Sequence, residues 1–186
     1  PNHFVILDRV TATDAGYRKD WLLHTAHQPV VEGRTIRADH GRGRIFCRTL
    51  LPADARVAAV GGPDKEFLAA GKNWDIVKGR LKPENLAMMG QWRVEVTPGT
   101  ARGEDLFLHV IQVGGQDLET MNESQLVEAD GSCGVRLSAE GGTWEVTFST
   151  RGELGGHIKR TGGRTEIDTD LATTVTPQSG IMADTK

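Results

Sequence analysis

Apolar residues along this chain recur mostly with a period of two, as in "RTIRAD" (34 to 39), "QWRVEVTP" (91 to 98) and "TWEVTFST" (143 to 150). That period marks strands with one face buried, because successive side chains of an extended chain point to opposite sides. Further runs of the same kind are "HFVILDRV" (3 to 10), "DWLLHT" (20 to 25), "RGRIFCRTLL" (42 to 51), "RVAAVG" (56 to 61) and "DLFLHVIQV" (105 to 113). "CGVRLSA" (133 to 139), "GHIKR" (156 to 160) and "RTEID" (164 to 168) complete the series. Short runs punctuated by Gly, Pro and Asp predict an all-β fold, an antiparallel sandwich of two packed sheets with about 10–12 strands. "SAEGGTWEV" predicts a hairpin with Gly141 and Gly142 at its turn. Residues 61–90 break the strand rhythm and read as a long irregular loop, and residues 175–186 as a frayed tail.

Composition narrows the class. The 186 residues suit a single domain over 1–186 with one sizeable core. A formal net charge of −3 gives no global attraction to nucleic acid or to an anionic membrane, so an anion site has to be local. No apolar run approaches the roughly 18 residues of a spanning helix, and "PNHFVILDRV" does not have the plan of a signal peptide. Cys47 and Cys133 each lie in a strand-like run and fit either a disulfide or two buried thiols.

Candidate chemistry gathers between residues 17 and 74. His24 and His27 stand three apart, with Asp39 and His40 shortly downstream, and these four are the candidate ligands for a zinc or calcium ion. An odd spacing on a strand sends the two imidazoles to opposite faces unless the chain turns, which Gln28-Pro29 favours. Spacing alone completes no tetrahedral set, so hydrogen-bonded histidines at a strand end are the competing explanation. Tyr17 and His24 are candidates for proton transfer, since β-elimination of a uronic acid needs a base and an acid flanking the sugar.

Arg34, Arg37, Arg42, Arg44 and Arg48 fall within fifteen residues. Alternation places Arg42, Arg44, Phe46 and Arg48 on one face of their strand and Ile45 and Cys47 on the core face. Such a row suits bidentate bonds to carboxylate or sulfate oxygens along a polymer, or else ion pairs with acids such as Asp39 and Glu32. Trp74, beside Lys72 in the loop, is a candidate sugar platform, while Trp21, Trp92 and Trp144 sit in alternating runs and read as core. Aromatics total only 5%, thin for a module built on stacking platforms. No nucleophile elbow, phosphate loop or zinc-protease helix occurs.

Six stretches, "FVILDRVTA", "YRKDWLLHTAHQP", "GRGRIFCRTLLP", "VGGPDKEFLAAGKNW", "GQWRVEVTP" and "DLFLHVIQV", together resemble the C-terminal β-sandwich region of heparinase II/III-like polysaccharide lyases, over roughly residues 4 to 113. The resemblance implies an antiparallel β-sandwich paired with an upstream α/α toroid catalytic domain in a secreted or periplasmic parent that cleaves uronic-acid polysaccharides. In that family the proton-transferring groups come chiefly from the helical domain, and some members carry a structural zinc. No position here matches those catalytic residues, so the resemblance implies a lyase's noncatalytic β domain that supports the catalytic domain and contacts acidic polysaccharide. The candidate carbohydrate contacts read from the residues themselves are Arg42, Arg44, Arg48, Lys72 and Trp74, and no cofactor is expected beyond the zinc or calcium ion considered above. The alternatives are an autonomous carbohydrate-binding module and a uronate lyase with a His/Tyr or metal site around His24.

Overall fold

A computed structural model of the chain describes residues 2–74, 82, 85, 89–163 and 165–174. Among them, in chain order, are β1 (His3–Thr11), β2 (Trp21–Thr25), β3 (Val30–Glu32), β4 (Thr35–His40), β5 (Gly43–Leu51), β6 (Arg56–Gly61), β7 (Leu68–Ala69) and β8 (Lys72–Asn73). They continue with β9 (Trp92–Thr97), β10 (Glu104–Gly115), β11 (Ser124–Ala129), β12 (Ser132–Ala139), β13 (Gly142–Ser149), β14 (Gly156–Thr161) and β15 (Ile167–Asp170). The expected all-β antiparallel sandwich is what the chain forms. Its strands are shared among a central sheet ordered β1-β10-β5-β4-β3, a five-stranded meander β11 to β15, a three-stranded sheet β2-β9-β6, and the small β7-β8 hairpin.

The central sheet has a core on each side. On one face Leu50, Leu51, Leu108 and Val110 pack against Cys133, Val135 and Leu137 of the meander. On the other, Ile36, Cys47, Phe107 and Ile111 pack against Val94 and Val96 of the three-stranded sheet, with Trp21 and Leu23 beside them. This double cover explains why "DLFLHVIQV" is a nearly continuous apolar run, as strands buried on both faces are. The meander is itself tightly built: a Cβ on Gly134 would collide with the Val146 carbonyl oxygen, so only glycine fits there.

Cys47 and Cys133 belong to different cores and are free thiols. Burial pushes the Cys47 thiol up to about 12 and raises that of Cys133, where Glu128 adds to the effect. Both are inert packing groups rather than nucleophiles.

Two-residue turns set the register of the hairpins. Gly33-Arg34 joins β3 to β4 and Gly41-Arg42 joins β4 to β5, with Gly33 and Gly41 at positive φ. The β12-β13 turn is Glu140-Gly141, both at positive φ, so Gly142 opens the strand instead of closing the turn. Asp130-Gly131 joins β12 to β11, a strand that apolar periodicity alone does not announce because "SQLVEA" offers only Leu126 and Val127 as large apolar residues. Within residues 61–90 the described part includes the β7-β8 hairpin, and the expected frayed tail, 175–186, lies outside the described residues.

His109 lies at the centre of β10 with no exposed surface. Its ring stacks on Trp21 at 3.7 Å between centroids, and Nδ1 meets Thr49 Oγ1 at 3.2 Å, while Nε2 is buried without a partner. Desolvation lowers its pKa from 6.5 to about 4, so the ring is neutral. The unfolded chain therefore binds a proton in a window where the native chain does not. The stability that a neutral His109 contributes is complete above 6.5 and is lost as the pH falls from 6.5 through about 4. Between pH 7 and pH 5 this site alone should remove about 2 kcal/mol. Urea unfolding at the two pH values should show that loss in the natural chain and a much smaller one in His109→Phe.

Candidate functional site

The arginines do not form one solvated row. The face that carries Arg44, Phe46 and Arg48 lies under the segment linking β10 to β11, so Phe46 is only 7% exposed. Arg42 sits in the β4-β5 turn, exposed to solvent. Arg44 makes a bidentate pair with Asp39, Nε to Oδ1 at 2.7 Å and Nη2 to Oδ2 at 3.0 Å, and donates to the Leu118 carbonyl at 3.0 Å. The hydrogen bonds from Arg44 hold the Asp39 carboxyl below its usual range, with a smaller pull from the charge of Arg37, and the same bonds raise the Arg44 guanidinium further.

Arg48 differs from Arg44 in the character of its partners. It donates to Thr35 Oγ1 at 3.3 Å, Ser124 Oγ at 3.2 Å and the Asn122 carbonyl at 3.5 Å, all neutral acceptors. Thr35 stands opposite Arg48 in the β4-β5 register and Arg37 opposite Phe46, which makes Arg37 the diagonal neighbour of Arg48 on the same face. Arg37 is a half-buried residue whose guanidinium makes no hydrogen bond or ion pair among the described residues and keeps its nitrogens open to solvent. These side chains line a cleft of about 390 Å³, walled by Val30 and Phe46 on one side and by Thr120 and Met121 on the other, with Glu32 and Glu119 exposed at its rim.

The histidine candidates gather on the other side of the β4-β5 hairpin. His24, Asp39 and His40 line one cavity of about 350 Å³ whose other walls include Ala26, Ala38, Ile45 and Val113. His27 stacks on His40 with centroids 5.4 Å apart. The chain turns after β2, where Thr25 Oγ1 donates to the His27 carbonyl at 2.8 Å, which brings His27 round to its partner. Among the described residues no group of three or more His, Cys, Asp or Glu side chains is placed to hold a metal ion. What the cavity offers is an apolar floor with imidazoles at its edge.

Trp74 follows the β7-β8 hairpin and is 45% exposed, but the Lys72 ammonium covers its ring at 4.1 Å from the centroid. One face of the indole is thus occupied by a cation from its own hairpin. Tyr17 is exposed and lines a different cavity from that of His24, together with Arg18, Lys19 and Arg56. Lys19 is drawn into the fold there, 3.2 Å from buried Asp105, which also pairs with Arg102. Arg102 in turn holds Asp54, whose carboxyl falls to about 2.

Arg37 is the residue that strand alternation within β5 could not bring to the cleft, since it belongs to the neighbouring strand. The two-residue Gly41-Arg42 turn is the signal that fixes the register and so puts Arg37 beside Arg48. His109 hides in the apolar run of β10, where only the stacked Trp21 reveals its setting. Neither the family models nor the curated proteins compared with the chain give a match.

Pairing decides which arginines are available to an anion, and this has a measurable consequence. Asp39→Asn should free Arg44 and move elution from a heparin column to higher salt, by more than Glu153→Gln, which changes the net charge equally elsewhere on the surface. Arg44→Gln should move elution to lower salt, because it leaves the Asp39 carboxylate without its partner.

Proposed function

We propose that this chain is the noncatalytic β-sandwich domain of a heparinase II/III-like polysaccharide lyase, acting in a secreted or periplasmic parent as a support for an α/α toroid catalytic domain and as a contact for acidic polysaccharide. The all-β fold agrees with the role that the sequence resemblance implies. The observation that carries the support role is the apolar end of the central sheet. Phe4 pairs with Ile111 on β1 and β10, and Val113 lies two residues further along β10, so both lie on one face. Phe4 is 58% and Val113 41% exposed, next to the cavity floored by Ala38 and Ile45. Apolar side chains left open together beside a cavity suit a surface that another domain covers.

An autonomous carbohydrate-binding module is the second reading, favoured by the exposure of Trp74. Affinity electrophoresis against heparin, chondroitin, alginate and a neutral glucan separates the two. The support reading expects retardation by the acidic polymers only, whereas retardation by the neutral glucan that disappears in Trp74→Ala favours the module. In the same mixtures, absorbance of the unsaturated uronate product should stay flat; a steady rise would overturn the noncatalytic assignment.

A further inference from the structure

We infer that the cleft between the β3-β4-β5 face and residues 119–121 is a carboxylate-binding site, in which Arg37 and Arg48 take the carboxylate of a uronate residue. The charge balance of the molecule leads to this place. Arg44, Arg93, Arg102 and Arg136 each have a carboxylate partner within 3.1 Å. Arg37 and Arg48, half-buried residues on adjacent strands, have none among the described residues, a condition they share with Arg9 and Arg160, but Arg37 and Arg48 line one cleft together, where Arg48 is held by neutral oxygens alone and Arg37 by no hydrogen bond. Two guanidiniums lining one cleft make it locally positive, and an anion between them is attracted to both.

The shape of the site selects the kind of anion. Arginine presents a planar fork of donors that matches the two oxygens of a carboxylate. The cleft, about 390 Å³, is at the small end of ligand sites and suits one or two sugar rings rather than a folded partner. Phe46 supplies an apolar surface beside Arg37 for the C–H side of a ring, and Thr35 Oγ1, already bonded to Arg48, is a hydroxyl within the same wall. Glu32 and Glu119 at the rim lie outside ion-pairing distance of both guanidiniums. They repel an incoming carboxylate, so the site discriminates against more densely charged ligands and favours a single carboxylate over a sulfated cluster. The carboxylate site stands on the cleft alone, and naming a uronate as its bearer rests on the proposed function.

Calorimetric titration of the full chain with sodium glucuronate, a glucuronate-containing disaccharide, glucose and inorganic sulfate tests the assignment. Glucuronate and the disaccharide should bind and glucose should not. Arg37→Gln should weaken glucuronate binding about tenfold, the loss expected for a charge-assisted hydrogen bond. Arg151→Gln, exposed and paired with Asp130, should bind as the natural chain does, and Glu119→Gln should bind two- to threefold more tightly. Circular dichroism checks that each variant folds, and Arg37→Lys, which keeps the charge without the fork, should lose most of the affinity if Arg37→Gln proves unstable. Equal affinity of the natural chain and Arg37→Gln, or no binding of either uronate, overturns the site; sulfate binding as tightly as glucuronate overturns its selectivity for carboxylate. Acidic polymers retarding Arg37→Gln as strongly as the natural chain would sink this cleft and leave the broader polysaccharide contact standing.

Discussion

Strand β10 runs through the central sheet with a hydrophobic core on each side, and the arrangement of the other strands derives from that double burial. Its residues alternate between two destinations: Leu108 and Val110 face the meander, while Phe107, His109 and Ile111 face the three-stranded sheet. Neither face can be given to solvent, so each must be met by another sheet. β5, paired to β10 through Ile111 and Cys47 on one face and Val110 and Arg48 on the other, inherits the same constraint. The order β1-β10-β5-β4-β3 therefore has its most apolar strands in the middle. One covering sheet, β2-β9-β6, comes from chain before β10 and the other, β11 to β15, from chain after it.

The polar groups caught in this arrangement are what give the molecule its distinctive chemistry. Where a buried polar side chain meets a partner of opposite charge, the result is structural: Asp105 is held by Lys19 and Arg102 close to the start of β10. His109 has no such partner and stays neutral, with its ring used as an apolar plate against Trp21. Arg37 and Arg48 are the third case, charged groups in one cleft with neutral acceptors on Arg48 alone and no contacting carboxylate on either among the described residues. Guanidinium groups do not give up their proton, so of these three solutions only the last leaves a charge to be answered from outside.

The β4-β5 hairpin joins the two sites. Its alternation sends Arg37, Phe46 and Arg48 toward the cleft, whereas Ala38, Ile45 and the residues near His24 and His40 line the cavity on the opposite side. Asp39 and Arg44 neutralise one another near the tip. One short turn, Gly41-Arg42, thus sets the register on which both sites depend, and a slip of one residue would exchange their linings.

Alternating apolar positions and turn residues were enough to determine the all-β antiparallel fold, most of the strands and the inward face of β2 at Trp21 and Leu23, because each is a local consequence of strand geometry. The clustering of arginines between residues 34 and 48 was likewise visible in the residues themselves. What the sequence could not decide was whether the face opposite Cys47 met water or a second layer, since an arginine-and-aromatic face with long aliphatic stems satisfies either setting. Tertiary structure settled it by laying the segment after β10 over Phe46, pairing Arg44 with Asp39 and leaving Arg37 and Arg48 without a contacting counterion among the described residues. Pairing across strands and the covering of a face are long-range events, and no periodicity within one strand encodes them.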